Sequence, residues 1–239
     1  MLLLKFYLLL CCWRTKMLRF FLLIAAILSL PACNFNLTPT FYIRDIQDVI
    51  SDKKDIEIPI FIKLPASDVD SCNSEIGQVV GILSTYEIDA TLQSCSSDEN
   101  NLFATANVEF IASVVFSETS RVENFKGIVG LVIEEANDGV YFLNLQANPN
   151  LPRAISDIES ALIFASLDAS QVGFIITLNN DTRSAVTFNI YDSFVNGVAT
   201  DYNTFEIEPR SELEVRASDV GANLFFNRGW FGIGEFTNN

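Results

Sequence analysis

Asp55 to Leu64 alternates without a break: Ile56, Ile58, Ile60, Ile62 and Leu64 fall on one side, Asp55, Glu57 and Lys63 on the other. A period of two is the spacing of a strand with one face buried, and a helix cannot segregate those residues. Pro59 lies inside the run and has no N–H for a ladder, which places the strand at a sheet edge. Leu102 to Phe110 repeats the pattern, with Ala104, Ala106 and Val108 opposite Thr105, Asn107 and Glu109. Gly127 to Glu135 and Val140 to Ala147 flank Asn137-Asp138-Gly139, residue types that tolerate the positive φ of a hairpin turn. Further strands are expected over Gly173–Asn179, Ala185–Tyr191, Thr204–Ile207, Glu212–Ala217, Asn223–Phe226 and Trp230–Phe236, with turns at 180–183, Asn196-Gly197 and Asn227-Arg228-Gly229.

Two helices interrupt the strands. Ser156-Asp157-Ile158-Glu159 reads as a capping box, followed by Leu162 and Ala165 on the face of Ile158, through about Asp168. Ser74 to Tyr86 carries Ile76, Val79, Val80 and Leu83 at helical spacing. Asn148-Pro149-Asn150-Leu151-Pro152 breaks all periodicity and suggests a boundary. The expected class is α+β, mostly antiparallel β. An N-terminal α+β lobe spans 41–147, and a β-sandwich-like lobe preceded by one helix spans 154–239.

The first 33 residues are of another kind. They hold four basic residues, Lys5, Arg14, Lys16 and Arg19, no acidic one, and dense apolar runs. From Met17, a short positive start, the apolar stretch Phe20–Leu28 and Leu30-Pro31-Ala32-Cys33 have the order of a signal peptide with a small-residue cleavage site. The competing account is a transmembrane anchor, but Phe20–Leu30 is eleven residues, against the roughly 20 that span a bilayer. Leu2–Cys12 is as short, and Met17 is the better initiator. Residues 1–32 are therefore set aside as leader and 33–40 as tether.

The Leu-x-Ala-Cys ending resembles the lipobox of bacterial lipoproteins. That resemblance implies that the Cys33 thiol is acylated, as with palmitate, and becomes the first residue of the mature chain. Asn34 rather than Asp after it implies, by analogy with enterobacterial lipoproteins, delivery to the outer membrane, facing the periplasm or the cell surface. The order of features also resembles uncharacterised lipoproteins of proteobacterial chromosomes and prophages, through Arg44-Asp45-Ile46-Gln47-Asp48-Val49, a spaced Cys pair and Ser218-Asp219-Val220-Gly221. That group implies an envelope location and no established activity.

Charge bounds the partners. With the leader removed, all 30 acidic residues and 11 of the 15 basic ones remain, a formal charge of -19. Such a body is repelled by nucleic acid and by anionic headgroups, so membrane contact would run through the acyl anchor alone. Past Cys33 only Cys72 and Cys95 remain; in an exported chain they form one disulfide, or else stay as two buried thiols.

Candidate chemistry is sparse. The chain has no His, which removes the usual general base and the commonest metal ligand. Ser51-Asp52-Lys53-Lys54 has Ser-x-x-Lys spacing but lies in a polar loop without companion motifs, and reads as solvated. Asp68, Asp70, Asn73 and Glu75 offer oxygens for Ca²⁺ but lack the glycine and third carboxylate of an EF-hand loop, and read as a loop tethered by Cys72. Asp45, Asp48, Asp52 and Asp55 read as surface charge, and Glu134 and Glu135 point to opposite strand faces. Phe225, Phe226, Arg228, Trp230 and Phe231 concentrate aromatics near the end: a partner patch, or two core-facing strands across a turn. No cofactor or metal is expected. The leading expectation is a non-enzymatic, lipid-anchored envelope protein that binds another envelope protein, with masking of a phage receptor as the use if it is prophage-borne. The alternatives are a lipoprotein holding a small molecule or glycan between two lobes, and a hydrolase using carboxylates alone.

Overall fold

The computed structural model describes residues 35–97, 104–119, 121–137, 139–161 and 172–237. Asn34–Asn239 forms one compact unit. Cys33 and the leader lie outside the described residues, as does the expected helical segment beyond Ala161.

The described chain runs β1 (Phe35–Leu37), β2 (Thr40–Tyr42), α1 (Ile43–Asp52), β3 (Ile56–Ala66), α2 (Val69–Thr85), β4 (Ala90–Ser97), β5 (Ala104–Ser117), β6 (Val129–Asn137) and β7 (Val140–Ala147). It continues with α3 (Leu151–Ala161), β8 (Val172–Asn179), β9 (Val186–Val195), β10 (Val198–Ile207), β11 (Glu212–Ala217), α4 (Asp219–Arg228) and β12 (Trp230–Thr237). All twelve strands join one sheet in the order β1-β8-β11-β9-β12-β7-β6-β5-β3, with β2 beside β8, β10 beside β9 and β4 beside β5. The sheet is mixed rather than antiparallel throughout: β1 and β2 run parallel to β8, and β5 parallel to β6. It curls nearly into a barrel, bringing β1 against β3.

The expected boundary at 147–153 is not a break in the sheet. β12, from the C-terminal part, pairs with β7 on one edge and β9 on the other. The Asn-Pro-Asn stretch is a tight turn whose polar groups are satisfied internally: Asn148 N donates to Ile128 O, and Leu151 N to Asn148 O. It leads straight into α3, which starts five residues before the expected capping box. Ser156 lies inside that helix and its carbonyl accepts from Ser160 Oγ at 2.8 Å. Pro152 sits in the first turn, where a missing N–H costs little.

One other local expectation changes, and two features are ones the sequence does not announce. Asn223–Phe226 is not a strand but part of α4, because Ser218 Oγ caps Gly221 N and Gly229 (φ 78) closes the other end in the left-handed region. Aromatic strand propensity yields to two good caps. The acidic stretch after Tyr42 is a helix, α1, with Ile43, Ile46, Val49 and Ile50 buried at helical spacing. β8 and β9 do not pair as a hairpin, since β11 lies between them. The buried Asn180 fixes that crossing: its Nδ2 donates to Ser184 O and Ile207 O, and its Oδ1 accepts from Thr182.

β3 is an edge strand, as Pro59 predicts. Ile111, opposite Pro59, accepts from Ile128 N on its other side, so the Pro59–Ile111 pair is not hydrogen-bonded and Pro59 turns its missing donor outward. The even-numbered isoleucines of β3 join one continuous core with Phe41, Phe174, Phe188, Phe225 and Phe236.

Candidate functional site

The β9–β10 hairpin joins a half-buried strand to a largely exposed one. Asn196 (φ 48) and Gly197 (φ 80) form its two-residue turn, a geometry open to Asn-Gly. β9 lies in the sheet, but β10 pairs only with β9 and is exposed along nearly its whole length. Val198 is 69% exposed and Tyr202 62%. Asp192, at φ 39, shifts the buried side of β9 from Val186, Phe188 and Ile190 to Ser193 and Val195. Beyond that shift β9 pairs with β11 through Ser193, Phe194 and Val195, and the turn is tied to the same strand, Asn196 N donating to Glu214 O at 2.9 Å.

Across the pair, Tyr191 and Tyr202 stack with centroids 5.4 Å apart and planes 13° from parallel. They face each other in the register, as Asn189 and Thr204 do. Asn189 joins the two strands to β12: Thr204 Oγ1 donates to its Oδ1 at 2.8 Å, and its Nδ2 donates to Glu235 Oε2 at 3.2 Å. Burial, and next the hydrogen bond to the Glu235 carboxylate, hold the Tyr191 phenol well above its ordinary pKa. Tyr191 is therefore a neutral donor at physiological pH, and Glu235 has a fixed partner. A concavity of about 470 Å³ opens beside the stack, lined by Val195, Val198, Thr200, Asp201, Tyr202 and Phe205. Between Ser184 and Pro209 the sequence has four carboxylates, Asp192, Asp201, Glu206 and Glu208, and no Lys or Arg. All four are exposed.

The strand pair presents aromatic faces, hydroxyls, an amide and carboxylates, groups of the kind that interfaces use. Among the described residues no group of three or more His, Cys, Asp or Glu is placed to hold a metal ion. The notable sequence signals were the Asn-Gly turn and the run without a cation. The tyrosine pair is invisible without the register.

The residues singled out from the sequence fall elsewhere. Cys72 and Cys95 form a disulfide, Cα atoms 6.2 Å apart, tying α2 to β4. Phe225 and Phe231 come together, but inside: Phe225 is 1% exposed, its ring 4.1 Å from that of Phe174 and 6.3 Å from that of Phe231. Phe226 and Trp230 are half-buried and Arg228 is exposed. Arg121 lies 5.2 Å from the Trp230 ring. These aromatics are chiefly core, with Arg228 at the rim.

The calcium candidate is not a loop but the start of α2. Asp68 Oδ1 caps Ser71 N at 2.8 Å; hydrogen bonding from the Ser71 side chain, and next from its backbone N–H, holds the Asp68 carboxyl below the ordinary value. Glu75 accepts from Ser67 N and Oγ, so its oxygens also serve the helix entry. Ser51 is on the exposed last turn of α1; Lys53 caps that helix in the left-handed region and lays its Nζ 3.1 Å from the Phe116 ring centre.

Fold and site together define an acidic, single-sheet, mostly β domain in which β10 is a long, exposed edge strand. The chain belongs to the family described as Domain of unknown function (DUF7424), whose model matches residues 35–238. No curated protein and no solved structure matches the chain.

Proposed function

We propose that the protein is a lipid-anchored component of a bacterial cell envelope, acylated at Cys33 and held at the outer membrane, and that it acts without catalysis by binding another envelope protein. The observation that carries the binding role is the β9–β10 hairpin, which exposes Val198 and Tyr202 on a rigid ribbon instead of burying them. Isolated exposed apolar residues mean little, but aromatic and aliphatic side chains grouped on an exposed edge strand resemble an interface centre. The lipobox-like Leu30-Pro31-Ala32-Cys33 supports the anchor, and the family match begins at residue 35, just past it. Anchoring confines the module to two dimensions and raises its effective concentration on a membrane partner. In a prophage, that arrangement suits masking of a phage receptor.

Cross-linking in intact cells, wild type against Cys33→Ser, tests the reading. One envelope protein captured by the anchored form alone is expected. Wild type recovered in the soluble fraction removes the anchor, and an anchored protein that captures nothing removes the partner.

A glycan is the second reading, favoured by the concavity bordered by the exposed Tyr202 ring. Its place is the hairpin, not a cleft between lobes. Saturation-transfer contact from an envelope polysaccharide to Tyr202, lost in Tyr202→Ala, would establish it.

A further inference from the structure

We propose that β10 is a docking edge, and that its occupant is an extended segment of a partner protein alternating apolar with cationic residues, added to the sheet as one more strand. The inference rests on the protein-binding reading above and specifies its chemistry.

Exposed sheet edges invite pairing, and folds usually blunt them. The described edges differ in how they are treated. β1 and β2 have three residues each. β4 carries an irregularity between Leu92 and Ser94. β3 is long, but Pro59 and Pro65 share the outward-facing register position and Lys63 lies between them. β10 has ten residues, no Pro, no Lys and no register shift against β9. It is the long edge with neither Pro nor Lys nor a register shift, and its only charges are the carboxylates of Asp201 and Glu206.

The backbone of that edge can be assigned. The Asn189 carbonyl oxygen lies against Gly234 of β12, so it points away from β10. The Asn189–Thr204 pair is therefore not hydrogen-bonded, and Thr204 turns its N–H and C=O outward; Tyr202 and Glu206, two positions away, do the same. Thr204 N has only its neighbour's side chain as acceptor, Asn203 Oδ1 at 2.9 Å. An incoming carbonyl can replace that contact.

Side chains set the occupant. Tyr202, Thr204 and Glu206 share one face of β10, while Phe205 and Ile207 lie on the other, toward the core. On an added strand, residues beside Glu206 and the Tyr202 ring meet a carboxylate and a π face, both of which favour Lys or Arg. The alternate residues meet Phe205 and favour apolar side chains. The carboxylates Asp192, Asp201 and Glu208 around it carry the same sign. A second copy of β10 would bring a second pair of carboxylates, Asp201 and Glu206, to the same edge, so charge selects against self-pairing.

The test uses the full-length gene product as cells make it and two synthetic peptides of about ten residues, one alternating Lys and Val, the other Glu and Val. The Lys–Val peptide is expected to slow hydrogen exchange at the Tyr202, Thr204 and Glu206 amides by about tenfold or more, with little change elsewhere. Thr204→Pro, which removes an outward donor without touching the β9 ladder, should abolish the effect. If that variant does not fold, Asp201→Lys with Glu206→Lys decides: the preference should pass to the Glu–Val peptide. Equal protection by both peptides, none by either, or protection confined to β4 overturns the proposal. So does concentration-dependent self-association that Thr204→Pro blocks. A photo-cross-linker at Val198 in living cells separates the two claims. Capture of one envelope protein, undiminished by Thr204→Pro, keeps the partner and rejects the added strand. Peptide protection without any capture keeps the edge and rejects the partner.

Discussion

Gly234 and Asn189 approach so closely that a Cβ built on Gly234 would overlap the Asn189 carbonyl oxygen. The contact lies where β12 threads between β7 and β9, the seam that joins the two halves of the chain into one sheet. The register against β7 shifts between Gly232 and Gly234, and Ile233 between them is fully buried. Gly234→Ala should therefore cost more than about 3 kcal/mol or prevent folding, because backbone on both sides must move. Gly77, in α2, has nothing within 4 Å of a built Cβ. Gly77→Ala should stabilise by about 0.5–1 kcal/mol through helix propensity. Urea denaturation of both variants checks the pair, and equal effects would mean that the close approach at the seam is not there.

Asn148 holds the crossover from β5 to β6 in place. It is 2% exposed, and its Nδ2 donates to Phe125 O at 2.8 Å and Gly127 O at 2.9 Å, while Oδ1 accepts from Asn150 N. Asn148→Ala strands the carbonyls and the amide it served, a loss of about 2–3 kcal/mol. Asn148→Asp should be at least as harmful, since a carboxylate cannot donate to either carbonyl. A shift of the urea midpoint of less than a quarter of that expected for such a loss would show that water replaces the side chain there.

Strand content was legible because burial leaves a direct trace in alternation: β3 and β7 were found close to their true limits. Turns built on Asn-Gly and Asn-Asp-Gly were legible for the same local reason, a need for positive φ. What sequence could not carry was pairing. Nothing in Gly173–Tyr191 says that β11, more than twenty residues on, separates two strands joined by a tight connection. Competition between local signals explains the other errors. Ser156 and Glu159 have capping-box spacing, yet the helix was already begun by Asn150. Phe225 and Phe226 favour strand, yet Ser218 and Gly229 bracket them at helical distance. The same limit hid the candidate site. Tyr191 and Tyr202 are unremarkable in the sequence and become neighbours only through the register of β9 and β10.

The Cys72–Cys95 bond staples β4, which pairs with β5 alone, to α2. With the two cysteines 23 residues apart, the chain-entropy estimate for closing that loop is about 3 kcal/mol. Cys72→Ser with Cys95→Ser, or reductant added to wild type, should lower stability by that amount, and the two treatments should agree. Hydrogen exchange should rise first in β4 and the start of α2. An unchanged urea midpoint under reductant would mean that the cross-link contributes nothing that packing of α2 does not already supply.

Asp45 gives the fold a pH dependence whose sign is set by its neighbours. Partial burial, with Asp181 and Asp48 nearby, raises its pKa, and Arg44 offsets this only in part. Arg44 is committed elsewhere: its backbone N–H donates to Asp181 Oδ1 at 3.0 Å and its Nε lies 3.6 Å from Asp181 Oδ2. A carboxyl whose pKa is higher folded than unfolded binds its proton more tightly in the native state. As pH rises from the ordinary carboxylate value through the raised one, the native state loses relative stability, and above that window the loss is complete. Asp45→Asn resembles the protonated form at every pH. The variant should match wild type in acid, draw ahead through that window, and keep a constant lead at neutral pH. Urea midpoints of the two proteins from acid to neutral pH measure it. A lead that does not vary with pH would mean that ionisation of Asp45 is not its source, and a variant that is weaker at neutral pH would assign Asp45 a favourable ionic contact instead of a partly buried, like-charged site.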